Sequence, residues 1–302
     1  MTATDLGPQE LRILVAVADE GAFSAAAARL GATQSAVSHA VRGIERKLGV
    51  VLFERGRFGA RPTPAGERAA AHARRVLRML QALAADVRGA DTGEIAGPLR
   101  IAAFRSAALH LLPPALAQLS ERHPGIGVTV TVVRELGAGT AGEVAAGRAD
   151  LGIATLSGPP PAGLVGGELL KEPYSLAHPA GHPDPRTLPL VDWAENCGSY
   201  TRAWWAAQDW IPAATVTAED DGAVLSMVGS GLGMAVMPAL ALTGAPPAVG
   251  ITDLGPERPY RSVGYVTTPE LATTTAVRAL IRTLRSLGGA SLERTKPQLR
   301  AV

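Results

Sequence analysis

The chain has 302 residues, enough for about two domains of ~150 residues each. With 47% hydrophobic residues and 29 basic against 27 acidic side chains, a net charge of +2, it is not a disordered polyelectrolyte. A single cysteine, Cys197, excludes a disulfide framework and any cysteine-based zinc cluster. The near-neutral total hides an asymmetry: residues 1–90 carry 13 Lys and Arg against 8 Asp and Glu, and the remainder is net acidic. Seven arginines and one acid, Glu67, fall between Arg55 and Arg78. Such a block suits either a polyanion, because phosphate neutralisation releases counterions, or a solvated helix face.

Residues 1–10 carry neither a basic n-region nor an apolar h-region, so a cytoplasmic chain is expected. Pro8 fits the first turn of a helix, Leu11, Leu14, Val15 and Ala18 recur at helical spacing, and Gly21 ends it. Ser24 is placed to cap a short second helix over 25–30. After the Gly31-Ala32-Thr33 turn, Thr33 caps a third helix over 34–48. That helix is two-faced. Val37, Val41, Ile44 and Leu48 make one apolar stripe, while Gln34, Ser35, Ser38, His39 and Arg42 cluster on the opposite face. These are side-chain types that read base edges and phosphates in a major groove, and the short helix, turn and polar-faced helix read as a helix-turn-helix.

Residues 50–53 form an apolar run predicting a short strand, and 54–61 are basic and glycine-rich, the composition of a wing. Arg55, Arg57 and Arg61 are candidates for phosphate or minor-groove contact. Thr63-Pro64 then opens a long helix over 64–87, roughly 36 Å at 1.5 Å per residue. Ala69, Ala73, Val76, Leu80, Leu83 and Val87 alternate steps of four and three along it, a heptad seam. No equally long helix is predicted elsewhere to cover this seam, so its partner is expected in a second copy; a helix lying on its own domain is the alternative.

The stretches Ala22-Phe23-Ser24-Ala25-Ala26-Ala27-Ala28-Arg29-Leu30, Thr33-Gln34-Ser35-Ala36-Val37-Ser38, Ile44-Glu45-Arg46-Lys47-Leu48-Gly49, Leu52-Phe53-Glu54-Arg55 and Thr63-Pro64-Ala65-Gly66 resemble the N-terminal signature of LysR-type transcriptional regulators. The resemblance extends over the whole chain. It implies an α/β multidomain fold: an N-terminal winged helix-turn-helix over 1–63, a linker and dimerisation helix over 64–90, and a C-terminal two-lobed effector domain over 91–302, similar to periplasmic binding proteins. It further implies double-stranded operator DNA as partner, a homodimer or dimer-of-dimers homotetramer, a small-molecule effector, and RNA polymerase as a candidate contact. Thr33, Gln34, Ser35, Ser38, His39 and Arg42 would then face DNA, with His39 departing from the Arg or Gln frequent there.

Beyond a Gly- and Pro-bearing link at 91–98, strands and helices alternate, which predicts a layered α/β domain. Strands are expected at 99–104, 128–133, 151–155, 174–177, 214–217, 234–237 and 263–267. Helices are expected at 106–122, ending at 143–148, near 203–209, at 221–229 and at 270–287. Residues 222–252 contain no charge, but their glycines and prolines break any single spanning helix, so no membrane partner is expected. The segments Arg148-Ala149-Asp150-Leu151-Gly152-Ile153-Ala154 and Gly231-Leu232-Gly233-Met234-Ala235-Val236-Met237-Pro238 resemble the corresponding family blocks. They place one lobe at about 97–156 with 266–290 and the other at about 157–265, with the ligand in the crevice between.

Ligand residues are expected where strands end and helices begin, since free N–H groups there bind anions. Ser106 follows the first strand with Arg105 beside it, Thr155 and Ser157 follow another, and Ser199, Tyr200, Thr201 and Arg202 precede a second-lobe helix. The resemblance matches Ser106, Thr155 and Thr201 to effector-contacting hydroxyls; each is equally suited to capping a helix. An inward Arg105 or Arg202 favours a carboxylate effector, and arginines turned to solvent an aromatic or neutral one. Trp204, Trp205 and Trp210 form an aromatic cluster, for packing or as one pocket wall. No nucleophile elbow, phosphate-binding loop or metal-spaced histidine cluster is present, and the proline and glycine between His178 and His182, four residues apart, bar a helical metal face. No catalytic residue, metal or cofactor other than the effector is therefore expected.

Overall fold

Three helices with apolar stripes build the N-terminal module: α1 (Pro8–Glu20), α2 (Phe23–Leu30) and α3 (Gln34–Leu48). The structure is a computed structural model that describes residues 5–56, 59–90, 93–195 and 199–294. Val37, Val41 and Ile44 of α3 are fully buried against Leu14 and Val17 of α1 and Ala26 and Ala27 of α2. Thr33 caps α3 as expected, accepting the Ala36 N–H at 3.2 Å, and Gly31 takes the left-handed conformation that the turn before it requires (φ 62°). Ser24, by contrast, is not a cap. Helix α2 begins at Phe23, whose ring meets Phe53 edge-to-face at 6.3 Å.

The apolar run at 50–53 is not a strand. Val50 and Val51 are exposed, and the chain first pairs at Phe53, in a hairpin of β1 (Phe53–Gly56) and β2 (Gly59–Pro62). Glu45 sets this offset by accepting the N–H groups of Leu52 and Phe53 (2.8 and 3.3 Å). The hairpin is also fastened to the end of α1, through the Ala60 N–H donating to the Gly21 carbonyl at 2.7 Å.

Helix α4 (Pro64–Gly89) starts at Thr63, which accepts the Gly66 N–H at 3.0 Å. The heptad seam divides in two. Ala73 is buried in the core of its own N-terminal module with Ala69 packed against it, because α4 crosses α1 there; the assignment of these two to a seam between copies is corrected accordingly. Val76, Leu80, Leu83 and Val87 remain exposed, at 47, 42, 59 and 63%.

The rest of the described chain is two α/β lobes sharing one sheet, in the order β10-β6-β11-β5-β3-β4 with β9 (Ala235–Pro238) also on β6. In the first lobe β3 (Gly97–Ala103) runs parallel to β4 (Ile126–Val132) and β5 (Leu151–Leu156). Helices α5 (Leu112–Arg122), α6 (Gly139–Ala145) and α10 (Thr275–Arg294) complete that lobe, α5 being preceded by a π-helical turn at Ala107–Leu111. In the second lobe β9 and β10 (Val249–Asp253) flank β6. Beside them lie the parallel pair β7 (Leu190–Trp193) and β8 (Ala214–Ala218), with α7 (Ser199–Ala206), α8 (Asp221–Gly229) and α9 (Ala239–Leu242).

Strand β6 (Val165–Pro179) belongs to both lobes. Residues 165–173 pair with β11 (Tyr260–Thr267) beside β5, and only from Tyr174 onward does β6 pair with β9. Residues 165–173 therefore lie with the first lobe, not the second, and β11 joins that lobe from Tyr260, ahead of the expected 266. No helix among the described residues is long and apolar enough to cross a membrane.

Candidate nucleic-acid interface and ligand cleft

On α3, burying the apolar stripe turns the polar one outward. Gln34, Ser35, His39 and Arg42 are exposed and Ser38 is half-buried on that outer face, with Thr33 exposed at its start. The Thr33 and Ser35 hydroxyls lie 3.1 Å apart. Arg46, one turn beyond Arg42, is exposed with it and lines the same shallow hollow as His39 and Arg42. Sequence reasoning passed over Arg46, although its i+4 spacing from Arg42 was the available signal. Lys47 is turned away, bonded to Glu10 at 2.8 Å and to the Asp5 carbonyl at 3.0 Å. Arg61 is exposed on β2, opposite Glu54 in the hairpin register. Arg57 lies outside the described residues, as does the side chain of Arg55.

A cavity of about 580 Å³ opens between the lobes. Thr155 and Ser157 line it together with Glu135, Glu195, Tyr174 and Arg261. Ser106 and Arg105 line a smaller recess that shares Glu135, Glu195 and Arg261 with the cavity. Thr201 is fully buried and lines neither. Cys197 and the side chains of Ser199, Tyr200 and Arg202 lie outside the described residues. Trp204 and Trp210 meet edge-to-face at 6.4 Å and pack with Trp205 against Tyr174, Leu176, Met234 and Val236, and the three line neither the cavity nor the recess.

Sequence reasoning offered Arg105 to an anionic ligand. The structure gives it an internal partner instead: its guanidinium is paired with Asp221 in the first turn of α8, across the cleft. The absence of a side chain at Gly222 makes room, since a Cβ there would lie 2.9 Å from the Arg105 Cζ. A second tie joins Arg134 to Glu195 at 2.9 Å and to the Glu219 carbonyl at 3.2 Å.

The strand-end donors are occupied in the same way. Glu135 accepts the N–H groups of Thr155 and Thr140, both at 3.1 Å, so a built-in carboxylate stands where an effector anion was expected. Burial pushes the Glu135 carboxyl above its ordinary range, and the hydrogen bonds from Thr140 and Thr155 and the charge of Arg261 oppose that rise only in part. Ser106 makes no side-chain cap; its hydroxyl lies 3.4 Å from the Arg261 Nη2. Arg261 is the cation that sequence reasoning missed. It bonds the fully buried Glu172 at 2.5 Å, lies 4.7 Å from the Phe104 ring centroid, and Glu172 also accepts the Leu240 N–H. No local motif marks it, because its partners lie far away in sequence.

Comparison with known proteins matches both halves of the chain. The family model described as "Bacterial regulatory helix-turn-helix protein, lysR family" covers residues 8–67, and "LysR substrate binding domain" covers residues 92–288. A probable HTH-type transcriptional regulator, LrrA of Synechococcus elongatus, is 36% identical over 97% of this chain and 98% of its own. The regulator AbaB of Streptomyces antibioticus is 34% identical over 76% of this chain and 80% of its own. Among solved structures, a variant of full-length OxyR from Pseudomonas aeruginosa superposes with a TM-score of 0.73 at 24% identity, covering 93% of this chain and 95% of that one. Full-length CbnR complexed with its target DNA superposes with a TM-score of 0.65 at 21% identity, covering 93% and 99%. At such identities the two structures speak for the shared fold.

Proposed function

Because the chain belongs to the LysR family of DNA-binding transcriptional regulators with effector-binding domains, we propose that residues 1–63 read an operator, 64–90 pair two copies, and 91–302 hold the effector. The observation that carries the reading is the outward polar face of α3, held by a fully buried Val37, Val41 and Ile44 beside a basic hairpin. Thr33, Gln34, Ser35, Ser38 and His39 contact base edges or the phosphates beside them, and Arg42 and Arg46 supply guanidinium groups to bases or phosphates. Arg55, Arg57 and Arg61 of the wing track the neighbouring backbone.

The exposed stripe of Val76, Leu80, Leu83 and Val87 is the surface on which a second copy of α4 zips. Two copies then match an operator of two-fold symmetry, and a pair of dimers meets RNA polymerase at the adjoining promoter. The regulator works in the cytoplasm, at the nucleoid. The effector occupies the interlobe cavity. With Arg105 committed to Asp221 and the strand-end donors held by Glu135, a neutral or aromatic effector fits the cavity better than a simple carboxylate, with Ser157 and Thr155 as its polar contacts.

A gel-shift titration of the full chain on the DNA upstream of its own gene tests this. Arg42→Ala is expected to lower operator affinity by roughly 10- to 100-fold and to flatten the dependence on salt. Unchanged affinity and slope would remove α3 from the interface.

A further inference from the structure

Two elements run from the ligand cavity to the long helix α4. Helix α6 lines the cavity with Gly139, Ala141, Gly142 and Ala145, and the next carbonyl, of Ala146, accepts a hydrogen bond from Arg74 Nη1 at 3.0 Å. Strand β5 lines the cavity with Ala154, Thr155 and Leu156 at its far end. Asp150, just before its first residue, is 2% exposed and takes both Arg78 Nε, at 2.6 Å, and Arg78 Nη2. The Asp150 carboxylate is itself oriented by the Arg100 N–H of β3 at 2.7 Å. The turn between α6 and β5 rests directly on α4, for a Cβ at Gly147 would stand 2.8 Å from the Arg74 Cβ and 3.1 Å from the Ala71 carbonyl oxygen.

Arg74 has a second engagement. Its Nη2 donates to Asp19 Oδ1 of α1 at 2.5 Å, and Asp19 also holds Arg29 of α2 at 3.2 Å. One guanidinium, on a side chain only 10% exposed, thus joins the cavity-lining lobe to the helices that carry α3. A planar fork can serve a carbonyl on one side and a carboxylate on the other; an ammonium offers a single point. We infer that Arg74 and Arg78 couple the ligand cavity to the DNA-reading helices within one chain, with Arg74 the positioning residue that both modules share.

The linkage rests on the regulator reading above and adds to it the route by which occupancy is felt. Packed helices and strands shift as units and do not compress, so a displacement of α6 or β5 at the cavity reaches Ala146 and Asp150. Coupling then requires that the two arrangements of these elements hold α1 differently.

A side chain grown into the cavity, Ser157→Trp, serves as the probe, and hydrogen exchange of α1 in the full chain as the readout. In the parent background Ser157→Trp is expected to change exchange at 14–20 by about 2- to 30-fold, the range typical of coupled sites. In an Arg74→Gln, Arg78→Gln background the same probe is expected to leave α1 unchanged. Arg74→Lys should restore thermal stability without restoring the response. The linkage is overturned if Ser157→Trp leaves α1 unaffected in the parent, or affects it equally with both arginines replaced. Operator binding by the parent is measured alongside: its loss would remove the regulator reading, whereas its presence with an uncoupled α1 would remove only the linkage.

Discussion

The N-terminal module and the ligand cleft place their working groups in opposite ways. On α3 the polar side chains are near neighbours in sequence and become a surface simply because Val37, Val41 and Ile44 turn inward. In the cleft, Glu135, Thr155, Glu195 and Arg261 come from four separate elements or loops, and each is already engaged by another part of the chain. A surface for a long polyanion needs a rigid helix and exposed donors. A pocket for a small molecule needs converging side chains whose charges are balanced internally until the ligand arrives.

Removing the support beneath each region should give the largest effects. Val41→Asp puts a charge into an apolar core and is expected to cost more than about 4 kcal/mol. Calorimetry should then show the N-terminal transition lost and operator binding abolished, while the two lobes still melt cooperatively. If both transitions disappear, the two regions are not separate folding units. Glu172→Ala is the counterpart in the cleft. It removes the buried carboxylate that balances the Arg261 guanidinium and should destabilise the lobes by about 3–5 kcal/mol in urea unfolding, with Glu172→Gln milder.

Between the two regions lies α4, and the proposed pairing of copies along it predicts that Leu80→Glu with Leu83→Glu yields monomers at micromolar concentration. Sedimentation velocity reads this directly, and an unchanged sedimentation coefficient would place the contact between copies elsewhere. The smallest expected effect is on pH dependence. Since burial raises the Glu135 carboxyl, the folded chain keeps a proton that the unfolded chain has released. The stability of the lobes should therefore fall as pH climbs from the ordinary carboxylate range through the raised value, and recover on acidification. Glu135→Gln should remove that component. Glu10, Glu143 and Glu270, whose carboxyls are lowered by hydrogen bonds, slope the opposite way but are common to both chains and cancel in the difference. A parent-minus-variant stability that does not vary with pH would contradict the assignment.

The same contrast explains what could be read before the fold was in view. The bounds of α3, its Thr33 cap and its polar face follow from local spacing, and so do the hydroxyls of Thr155 and Ser157 at the end of a strand. The misreadings arose where distant residues decide. Val50 and Val51 have the composition of a strand, yet Glu45 captures the next two N–H groups and delays the hairpin. Ser24 has the chemistry of a cap, yet the contact between Phe23 and Phe53 starts the helix earlier. The engagement of Arg105 and the place of Arg261 are illegible locally for one reason: the partners of both, Asp221 and Glu172, lie 116 and 89 residues away.

Strands β6 and β11 bear on how the pocket can move. β6 is 15 residues long and passes from one lobe to the other without a break, bonded first to β11 and then to β9 and β10. Where β6 meets β11 the register slips between Val263 and Gly264, a bulge that bends and twists the pair. One of the two crossings between the lobes is thus an unbroken strand, and the other is the short loop 254–259 between β10 and β11. The lobes should wind and unwind about a continuous ribbon, as on a torsion spring, so admitting a molecule to the cavity would be a small rotation against an elastic restoring force and not the swing of a door.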